Sequence, residues 1–209
     1  EGFRWMSLLK AWGLGGVLAD EMGLGKTLQS LCMIKSETGD MPSIVVCPKT
    51  LVWSWDREID KFFPGMKRIV IDSLKPEERV AKWKGAGKEL IITSYSVVIN
   101  DFPFVKDKYF ETIVIDEAQQ IKNNNTKRFR VLNSLKSKHR FALTGTPLEN
   151  HVGDLWSIFQ FIMPYYLGNK RDVDKMEKAG NNEELDLLRK KTAPFILRRL
   201  KSEILDELP

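Results

Sequence analysis

The sequence lacks long apolar runs and contains very little cysteine. None of its apolar stretches approaches the roughly 20 residues that a membrane-spanning helix needs, so we expect no membrane partner. No secretory signal pattern opens the chain, and neither repeats nor low-complexity tracts occur. The two cysteines, Cys32 and Cys47, lack metal-site spacing and fall in apolar segments, which predicts two buried thiols in a reducing compartment.

The composition is that of an ordinary globular protein. Hydrophobic residues make up 43% and charged residues 29% of 209 positions, enough for one well-buried domain with a small appendage. The net charge of +5 is compatible with a polyanionic partner. Charge alone is weak support for such a partner, because most lysine and arginine side chains simply solvate a surface.

Short apolar runs alternate with helical patterns along most of the chain. This alternation predicts an α/β fold with a mostly parallel central sheet flanked by helices. The predicted strands are Gly16–Ala19, Ile44–Cys47, Arg68–Ile71, Leu90–Thr93, Thr112–Asp116 and Arg140–Thr144. Beyond these runs the pattern becomes helical and highly charged. We therefore predict a main domain over residues 1–151 and a small helical appendage over residues 152–209.

A glycine-rich segment, Ala19–Thr27, directly follows the first apolar run. Strand, glycine-rich turn and helix in this order form a positive concavity, because turn N–H groups and the helix N-terminus point into it. Lys26 would reach the β- and γ-phosphates of a nucleoside triphosphate, and the Thr27 hydroxyl would ligate Mg²⁺. Asp20 departs from the general phosphate-loop pattern, which has glycine at that position.

Two adjacent carboxylates, Asp116 and Glu117, follow the apolar run Thr112–Ile115. In open parallel sheets ligands bind at the carboxyl edge, where the phosphate loop also leaves its strand. Asp116 would position Mg²⁺ through its water shell, and Glu117 would accept a proton from the water that attacks the γ-phosphate. Taken alone, this pair could equally be a helix cap.

A third run ends in the small residues Thr144, Gly145 and Thr146. These residues could sense the γ-phosphate and transmit its presence elsewhere. The alternative is a plain tight turn in which Pro147 ends the strand. Physical arguments alone favour neither interpretation over the other.

With these three segments, the chain resembles the first RecA-like lobe of Swi/Snf-type ATPases, a family of superfamily-2 DNA translocases. The matching blocks are Leu18–Gln29, Val45–Leu51 with Trp55, Ile91–Tyr95, Val114–Gln119 with Ile121–Asn123, Leu143–Asn150, Asp154–Ser157 and Pro194–Arg199. The blocks keep the family order over nearly the whole chain. Asp20, unusual for a general phosphate loop, matches the loop of this family.

The resemblance implies a two-lobed motor that hydrolyses ATP between its lobes and tracks along double-stranded DNA without separating the strands. It implies ATP and Mg²⁺ as ligands and a second RecA-like lobe as partner. The implied nucleotide-binding residues are Asp20, Met22, Gly23, Leu24, Gly25, Lys26 and Thr27; the implied metal ligands are Thr27 and Asp116. Lys26 and Glu117 are the implied catalytic residues. The implied coupling residues are Gln119, Thr144, Gly145 and Thr146.

The family pattern also suggests contacts to the DNA backbone. The residues concerned are Lys49, Thr50, Thr93, Ser94 and Lys122. Hydroxyls and lysines at strand ends suit phosphate contact without reading sequence. Structural alternatives remain: Thr50 as a helix cap, Tyr95 as a core ring and Lys122 as solvated charge. The tryptophans Trp53, Trp55 and Trp156 are interpreted as packing residues rather than base-stacking platforms.

Some parts of the family pattern are not in this sequence. The glutamine-containing segment that reads adenine would precede Gly2–Trp5, so preference for ATP over GTP is implied by kinship alone. The second lobe, which supplies arginines to the γ-phosphate, would follow Pro209. Two alternatives therefore stay open: a strand-separating helicase, and a nucleotide- and DNA-binding module without significant turnover by itself.

The motor's target lies beyond what the sequence indicates, although DNA-bound protein complexes are expected among its partners. The lobe has no large insertions, and its Asp-Glu-Ala-Gln segment resembles bacterial or archaeal relatives more than nuclear remodellers. We therefore expect a cytoplasmic, nucleoid-associated protein if the source is prokaryotic, and a nuclear one if it is eukaryotic.

Overall fold

The central sheet of the computed structural model, which describes residues 1–146, 152–179 and 182–204, contains seven strands. They are Gly16–Leu18 (β1), Ser43–Cys47 (β2), Arg68–Ile71 (β3), Leu90–Ser94 (β4), Tyr109–Ile115 (β5), Lys136–Leu143 (β6) and Ile196–Leu197 (β7). Their order across the sheet is β3-β4-β2-β5-β6-β1-β7, and every neighbouring pair is parallel. The predicted α/β fold with a mostly parallel sheet is confirmed.

Helices cover both faces of this sheet. The helices are Gly2–Ala11 (α1), Lys26–Lys35 (α2), Val52–Phe62 (α3), Pro76–Gly85 (α4), Tyr95–Asn100 (α5), Phe102–Val105 (α6), Lys127–Ser134 (α7), Val152–Ile162 (α8), Lys170–Ala179 (α9), Asn182–Thr192 (α10) and Lys201–Ile204 (α11). Short 3₁₀ turns lie at Lys49–Leu51, Ala118–Ile121 and Ala193–Phe195. Two-sided cover explains why β2 and the second half of β5 are apolar at nearly every position.

The core divides into two halves, one on each face of the sheet. On one face α1, α2 and α3 supply buried residues such as Met6, Leu31 and Trp55. On the other face α5, α7 and α8 supply buried residues, including Phe129 and Phe159. A fully buried Leu, Met or Phe side chain stabilises the fold by about 1.5–3 kcal/mol relative to an exposed one.

The segment after residue 151 is built into this core. Residues of α8, including Ile158 and Phe159, are fully buried together with residues of the sheet. Strand β7 pairs in parallel with β1 and adds an edge strand that the sequence pattern did not predict. The proposed boundary between residues 151 and 152 stays a prediction, because residues 147–151, including Pro147, lie outside the described residues.

The strand register brings three segments to one edge of the sheet. Leu18 at the end of β1 pairs with Leu143 at the end of β6. Ile115 at the end of β5 pairs with Ala142. Since all strands are parallel, the residues that follow β1, β5 and β6 emerge side by side at the carboxyl edge.

The cysteine prediction is right for one residue and wrong for the other. Cys47 is buried in β2, where its thiol lies 3.7 Å from the Thr93 carbonyl oxygen, and burial raises the pKa of this thiol. Cys32 is partly exposed on α2, whereas its neighbours Leu31 and Met33 are buried. None of the helices among the described residues has the length and apolar character to cross a membrane.

Shortening a side chain in the central strand β5 tests the packing of the core. Ile113 is fully buried and pairs with both β2 and β6. We expect Ile113→Val to lower the free energy of unfolding by about 0.5–1.5 kcal/mol and Ile113→Ala by about 2–5 kcal/mol. Both substitutions leave a cavity, and the alanine leaves the larger one. Denaturant unfolding measures both. As control, Leu187→Ala on α10, where Leu187 is 59% exposed, should change stability by less than about 0.5 kcal/mol; similar losses at both positions would contradict this packing.

A candidate nucleotide site at the carboxyl edge of the sheet

The loop between β1 and α2 has the backbone shape of an anion site. Gly23 and Gly25 adopt positive φ angles of 90° and 73°, which side chains other than glycine rarely tolerate. Among the described residues no side chain caps the first turn of α2, so its N–H groups are left for a ligand. A Cβ atom on Gly25 would meet nothing within 4 Å. This backbone shape suits an anion such as phosphate, and binding of a nucleotide there stays a prediction.

Lys26 lies across this loop. Its ammonium donates hydrogen bonds to the carbonyl oxygens of Asp20 at 2.7 Å and Glu21 at 3.3 Å. Burial lowers the pKa of Lys26, while the negative charges of Asp116, Asp20 and Glu117 oppose this shift. An ammonium that donates to neutral carbonyl oxygens can exchange them for phosphate oxygens, which bind it more strongly.

Asp116 is held in place by two aromatic side chains. Its Oδ2 accepts a hydrogen bond from Trp55 Nε1 at 2.9 Å, and its Oδ1 accepts one from the Glu117 N–H at 2.9 Å. The Tyr95 hydroxyl donates to the Asp116 carbonyl oxygen at 2.8 Å. Burial raises the pKa of Asp116, and the two hydrogen bonds to its carboxylate act against this rise. Trp55 and Tyr95 thus contact Asp116 at the site, although their sequence neighbours gave no sign of it.

Glu117 has an uncommon backbone conformation. Its φ of 55° and ψ of 57° lie in the left-handed region, which costs a non-glycine residue on the order of 1 kcal/mol. Such conformations concentrate at functional sites, where surrounding contacts enforce them. Here Gln119 Nε2 donates to Glu117 Oε2 at 2.6 Å, which fixes the carboxylate after the turn.

A hydrogen-bonded relay joins the end of β5 to the end of β6. The Thr144 hydroxyl lies 3.2 Å from Gln119 Oε1, and Gln119 in turn contacts Glu117. Thr144 Oγ1 also lies 2.9 Å from Thr146 Oγ1 and accepts from the Thr146 N–H at 3.1 Å. A Cβ atom on Gly145 would lie 2.9 Å from Met22 Cγ and 3.8 Å from Lys26 Nζ. The predicted coupling residues therefore contact one another and border the phosphate loop.

Asp20 lies in the phosphate loop, but its carboxylate does not face the anion site. The side chain is fully buried and accepts hydrogen bonds from the guanidinium and backbone N–H of Arg199. Only its backbone carbonyl oxygen contacts Lys26. The expectation that Asp20 binds nucleotide is therefore corrected for its side chain, because a carboxylate so enclosed has no free face for a ligand.

The residues predicted to contact DNA divide into exposed and buried sets. Lys49 and Thr50 are exposed in the 3₁₀ turn before α3, whose N-cap residue is Leu51 rather than Thr50. Lys122 is exposed and forms a long ion pair of 3.7 Å with Asp154.

Thr93 and Ser94, in contrast, face the interior of the domain. The Thr93 hydroxyl donates to the Ile71 carbonyl oxygen at 2.7 Å, and the Ser94 hydroxyl donates to Asp72 Oδ1 at 2.9 Å. Both residues are at most 1% exposed, so the structure does not support direct contact of these two side chains with DNA. They follow the buried pattern of β4, which was the signal for an interior position.

The tryptophan interpretation holds for two of three residues. Trp55 is buried, and Trp156 stacks on Phe129 with ring centroids 6.2 Å apart. Trp53 is 51% exposed, so its assignment as a packing residue is wrong. Two residues apart on a helix, Trp53 and Trp55 cannot share a face, and only Trp55 points towards the sheet.

The donor set at this edge suits Mg²⁺ together with a nucleotide. Within the described ranges no cluster of three or more His, Cys, Asp or Glu side chains could hold a metal ion alone. Mg²⁺ characteristically takes one or two protein oxygens and completes its shell with water and substrate phosphates. The Thr27 hydroxyl at the start of α2 and the Asp116 carboxylate at the end of β5 match this requirement.

Comparison with known proteins places the chain in a family. Residues 1–209 match the SNF2-related domain. An ATP-dependent helicase of Mycoplasma genitalium is 41% identical over 214 residues, and the match covers 100% of this chain and 21% of that protein. The human TATA-binding protein-associated factor 172 is 34% identical, with 100% of this chain and 13% of that protein covered. The chain thus spans a minor part of these curated relatives.

A solved structure extends the match to the fold. The SWI2/SNF2 ATPase core of Sulfolobus solfataricus, determined in complex with double-stranded DNA, is 40% identical and superposes with a TM-score of 0.87. The match covers 100% of this chain and 45% of that chain. The chain therefore belongs to the SNF2-related domain family, as an N-terminal RecA-like lobe of the Swi/Snf type.

Proposed function

We propose that this lobe binds ATP with Mg²⁺ and that the intact protein uses ATP hydrolysis to move along double-stranded DNA. The observation that carries the proposal is the continuous set of contacts at the carboxyl edge. There Gly145 borders Lys26, and Thr144 is linked through Gln119 to Glu117. A phosphate site joined in this way to a carboxylate and a second strand end suits a nucleotide-driven motor.

Each group at the edge has a distinct chemical task in this proposal. Lys26 and the N–H groups of the first turn of α2 bind the phosphates. Thr27 and Asp116 hold Mg²⁺, which neutralises charge on the phosphate oxygens when bound. Glu117 accepts the proton of the water that attacks the γ-phosphate. The fixed donors of Trp55 and Gln119 keep both carboxylates oriented before substrate arrives.

The relay from Glu117 to Thr146 is the proposed route between nucleotide and DNA. Gln119 contacts the Glu117 carboxylate at one end of its amide and the Thr144 hydroxyl at the other, and Thr144 also contacts Thr146. A change in the hydrogen bond of Glu117 would therefore reach Thr144 and Thr146 through Gln119. The 3₁₀ turn Ala118–Ile121, which contains Gln119, packs against α8, and α8 carries Asp154, the ion-pair partner of Lys122. Nucleotide state could in this way bias an exposed cation at the domain surface.

Double-stranded DNA is the proposed track. The archaeal ATPase core in complex with double-stranded DNA shares this fold at 40% identity. Lys49, Thr50 and Lys122 are exposed near the carboxyl ends of β2 and β5, where they could contact a phosphate backbone without reading bases. The net charge of +5 is compatible with this partner.

Two alternative functions belong to different mechanisms. The Mycoplasma genitalium relative is named a helicase, which favours strand separation by the same core as an alternative to translocation. The second alternative is a lobe that binds nucleotide and DNA with little turnover by itself. Arginines from a second lobe can raise the rate of ATP hydrolysis by several orders of magnitude, and a single lobe would lack them. A forked-duplex unwinding assay separates the first alternative from translocation. Turnover of this lobe, alone and mixed with a separately produced second lobe, tests the other.

The whole protein's partners and compartment are proposed along the same lines. A second RecA-like lobe would complete the site, and DNA-bound protein complexes are the proposed objects of the motor. The human relative is named as a factor associated with TATA-binding protein, while another relative is bacterial. We propose a cytoplasmic, nucleoid-associated location for a prokaryotic source and a nuclear location for a eukaryotic one.

The first test separates nucleotide binding from hydrolysis in the intact protein. We expect Lys26→Ala to abolish ATPase activity stimulated by duplex DNA, because the phosphates lose their cation. Glu117→Gln should keep ATP affinity but lower turnover by about 100-fold or more, since the proton acceptor is lost. Filter binding of ATP and phosphate release measure the two effects.

The matched control for this test is Lys88→Ala, at the opposite end of the sheet before β4, where the Lys88 side chain is 60% exposed. It should leave both binding and turnover unchanged. Retained hydrolysis in Glu117→Gln would remove Glu117 from the role of base. Equal stimulation of the wild-type protein by single-stranded RNA and by duplex DNA would refute the proposed track.

The second test concerns the donor that holds Asp116. Trp55→Phe keeps an aromatic ring but removes the N–H that contacts Asp116 Oδ2. We expect a stability loss of about 1–3 kcal/mol, because a buried acceptor loses its donor, together with a clear fall in ATPase turnover. Trp83→Phe is the control, since Trp83 Nε1 donates to the buried Asp101 at 2.9 Å, away from the carboxyl ends of β1 and β5. It should cost similar stability without lowering turnover; equal loss of turnover in both variants would assign Trp55 a general packing role.

The third test addresses the relay. Thr144→Val preserves shape but removes the hydroxyl that contacts Gln119 and Thr146. We expect ATP affinity to persist while the stimulation of ATPase activity by DNA falls by about tenfold, the size of a typical coupling between sites. Thr144→Ser retains the hydroxyl and should remain close to wild type. Full stimulation in Thr144→Val would exclude the relay as the route.

A further inference from the structure

The chain returns to the phosphate loop from a distant part of the sequence. Strand β7 pairs with β1, and the Ala19 N–H donates to the Leu197 carbonyl oxygen at 2.7 Å. The Glu21 N–H then donates to the Arg199 carbonyl oxygen at 3.1 Å. The segment 196–201, here called the return segment, therefore runs beside the beginning of the phosphate loop as well as beside β1.

A buried ion pair joins the two segments. Arg199 Nε donates to Asp20 Oδ1 at 3.0 Å, its Nη2 donates to Asp20 Oδ2, and its backbone N–H donates to Asp20 Oδ1 at 3.1 Å. Asp20 is fully buried, whereas the Arg199 side chain is 17% exposed. Asp20 raises the pKa of Arg199 through these hydrogen bonds, so the guanidinium stays charged. A carboxylate with donors on both oxygens has a fixed position and orientation.

Arg199 also reaches the first turns of α2. Its Nη2 donates to Gln29 Oε1 at 2.9 Å, and Gln29 Nε2 donates to the Leu24 carbonyl oxygen in the loop at 2.9 Å. Lys201, two residues further on, donates its backbone N–H to Glu21 Oε2 at 2.8 Å. The Lys201 Nζ lies 3.4 Å from the position that a Cβ atom would take on Gly23. The return segment thus holds the loop directly at Asp20 and Glu21, and indirectly at Leu24 through Gln29.

We infer that Arg199 is a positioning residue of the nucleotide site: it fixes the phosphate loop in its anion-binding shape through Asp20. The inference deepens the proposed function and rests on it for the identity of the ligand. It follows from the contacts above, because the two carbonyl oxygens that hold Lys26 belong to Asp20 and Glu21. Both residues take their positions from the return segment. Releasing Asp20 would move the acceptors of Lys26 and the turn that precedes Gly23.

Arg199→Lys tests this inference in the intact protein, because lysine keeps the charge but lacks the planar fork that engages both carboxylate oxygens. We expect hydrogen–deuterium exchange of the loop peptide, residues 19–25, to accelerate by about tenfold in the nucleotide-free protein. The dissociation constant for ADP with Mg²⁺ should rise by about tenfold. Arg199→Gln should show both effects more strongly, and Arg199→Lys decides the matter if the glutamine variant does not fold.

The matched control is Arg79→Lys. Arg79 engages the buried Asp101 with the same two nitrogen atoms, at 2.8 Å and 3.0 Å, and its side chain is likewise 17% exposed. It lies on α4 beside β3, at the other end of the strand order. This variant should lower thermal stability to a similar degree without accelerating exchange in the loop or weakening ADP binding.

The outcomes separate the inference from the proposed function. Unchanged loop exchange in the folded Arg199→Lys variant would overturn the inference, whatever the protein binds. Equal acceleration in Arg79→Lys would likewise overturn it, since the effect would then reflect general destabilisation. Failure of the wild-type protein to bind ADP would refute the proposed ligand instead, and loop exchange would still report on the role of Arg199.

Discussion

The parallel register of β1, β5 and β6 is the constraint on which the candidate site depends. Because Leu18 pairs with Leu143 and Ile115 pairs with Ala142, the chain leaves these strands at one level. The phosphate loop, the carboxylate pair and the threonine turn therefore lie side by side. A shift of one residue in any pairing would move every side chain of that strand to the opposite face of the sheet, into the other half of the core. The packing of the core on both faces consequently fixes the geometry of the site.

Two buried carboxylates show how the fold and the site share the same contacts. Asp116 and Asp20 would each cost several kcal/mol if their oxygens were left without donors in the interior. Trp55 supplies the donor to Asp116, and Arg199 supplies donors to Asp20. Both donors come from elements that cover the sheet or extend it. The groups that allow these charges to be buried are the same groups that orient them.

The proposed response of this lobe to nucleotide rests on a small network of contacts at the carboxyl edge. Glu117 is held in an uncommon backbone conformation by its neighbours and is linked through Gln119 to Thr144. Hydrogen bonds in such a chain polarise one another, so we expect a change in one bond to alter its neighbours. The lobe spans 21% of one curated relative and 45% of the solved archaeal ATPase core, so proposals for the intact motor extend beyond the contacts of this lobe.

Local patterns in the sequence determined six of the seven strands of the sheet, the phosphate loop and the carboxylate pair. Each depends on neighbours in sequence: an apolar run forms a covered strand, and glycines at Gly23 and Gly25 allow the turn. The strand β7 escaped prediction because two residues are too few to show a period. The burial of Thr93 and Ser94 was missed because family kinship, rather than the pattern of β4, guided their assignment.

Only the tertiary structure decided which side chains satisfy the buried groups. Trp55 and Asp116 are 61 residues apart in sequence, and Asp20 and Arg199 are 179 residues apart. No local period relates such pairs, since their contact depends on which helix covers the strand and which segment extends the sheet. The sequence by itself thus determined the chemistry available at the loop and at Asp116. Packing decided how that chemistry is held, because a buried carboxylate must take its donors from whatever the fold brings beside it.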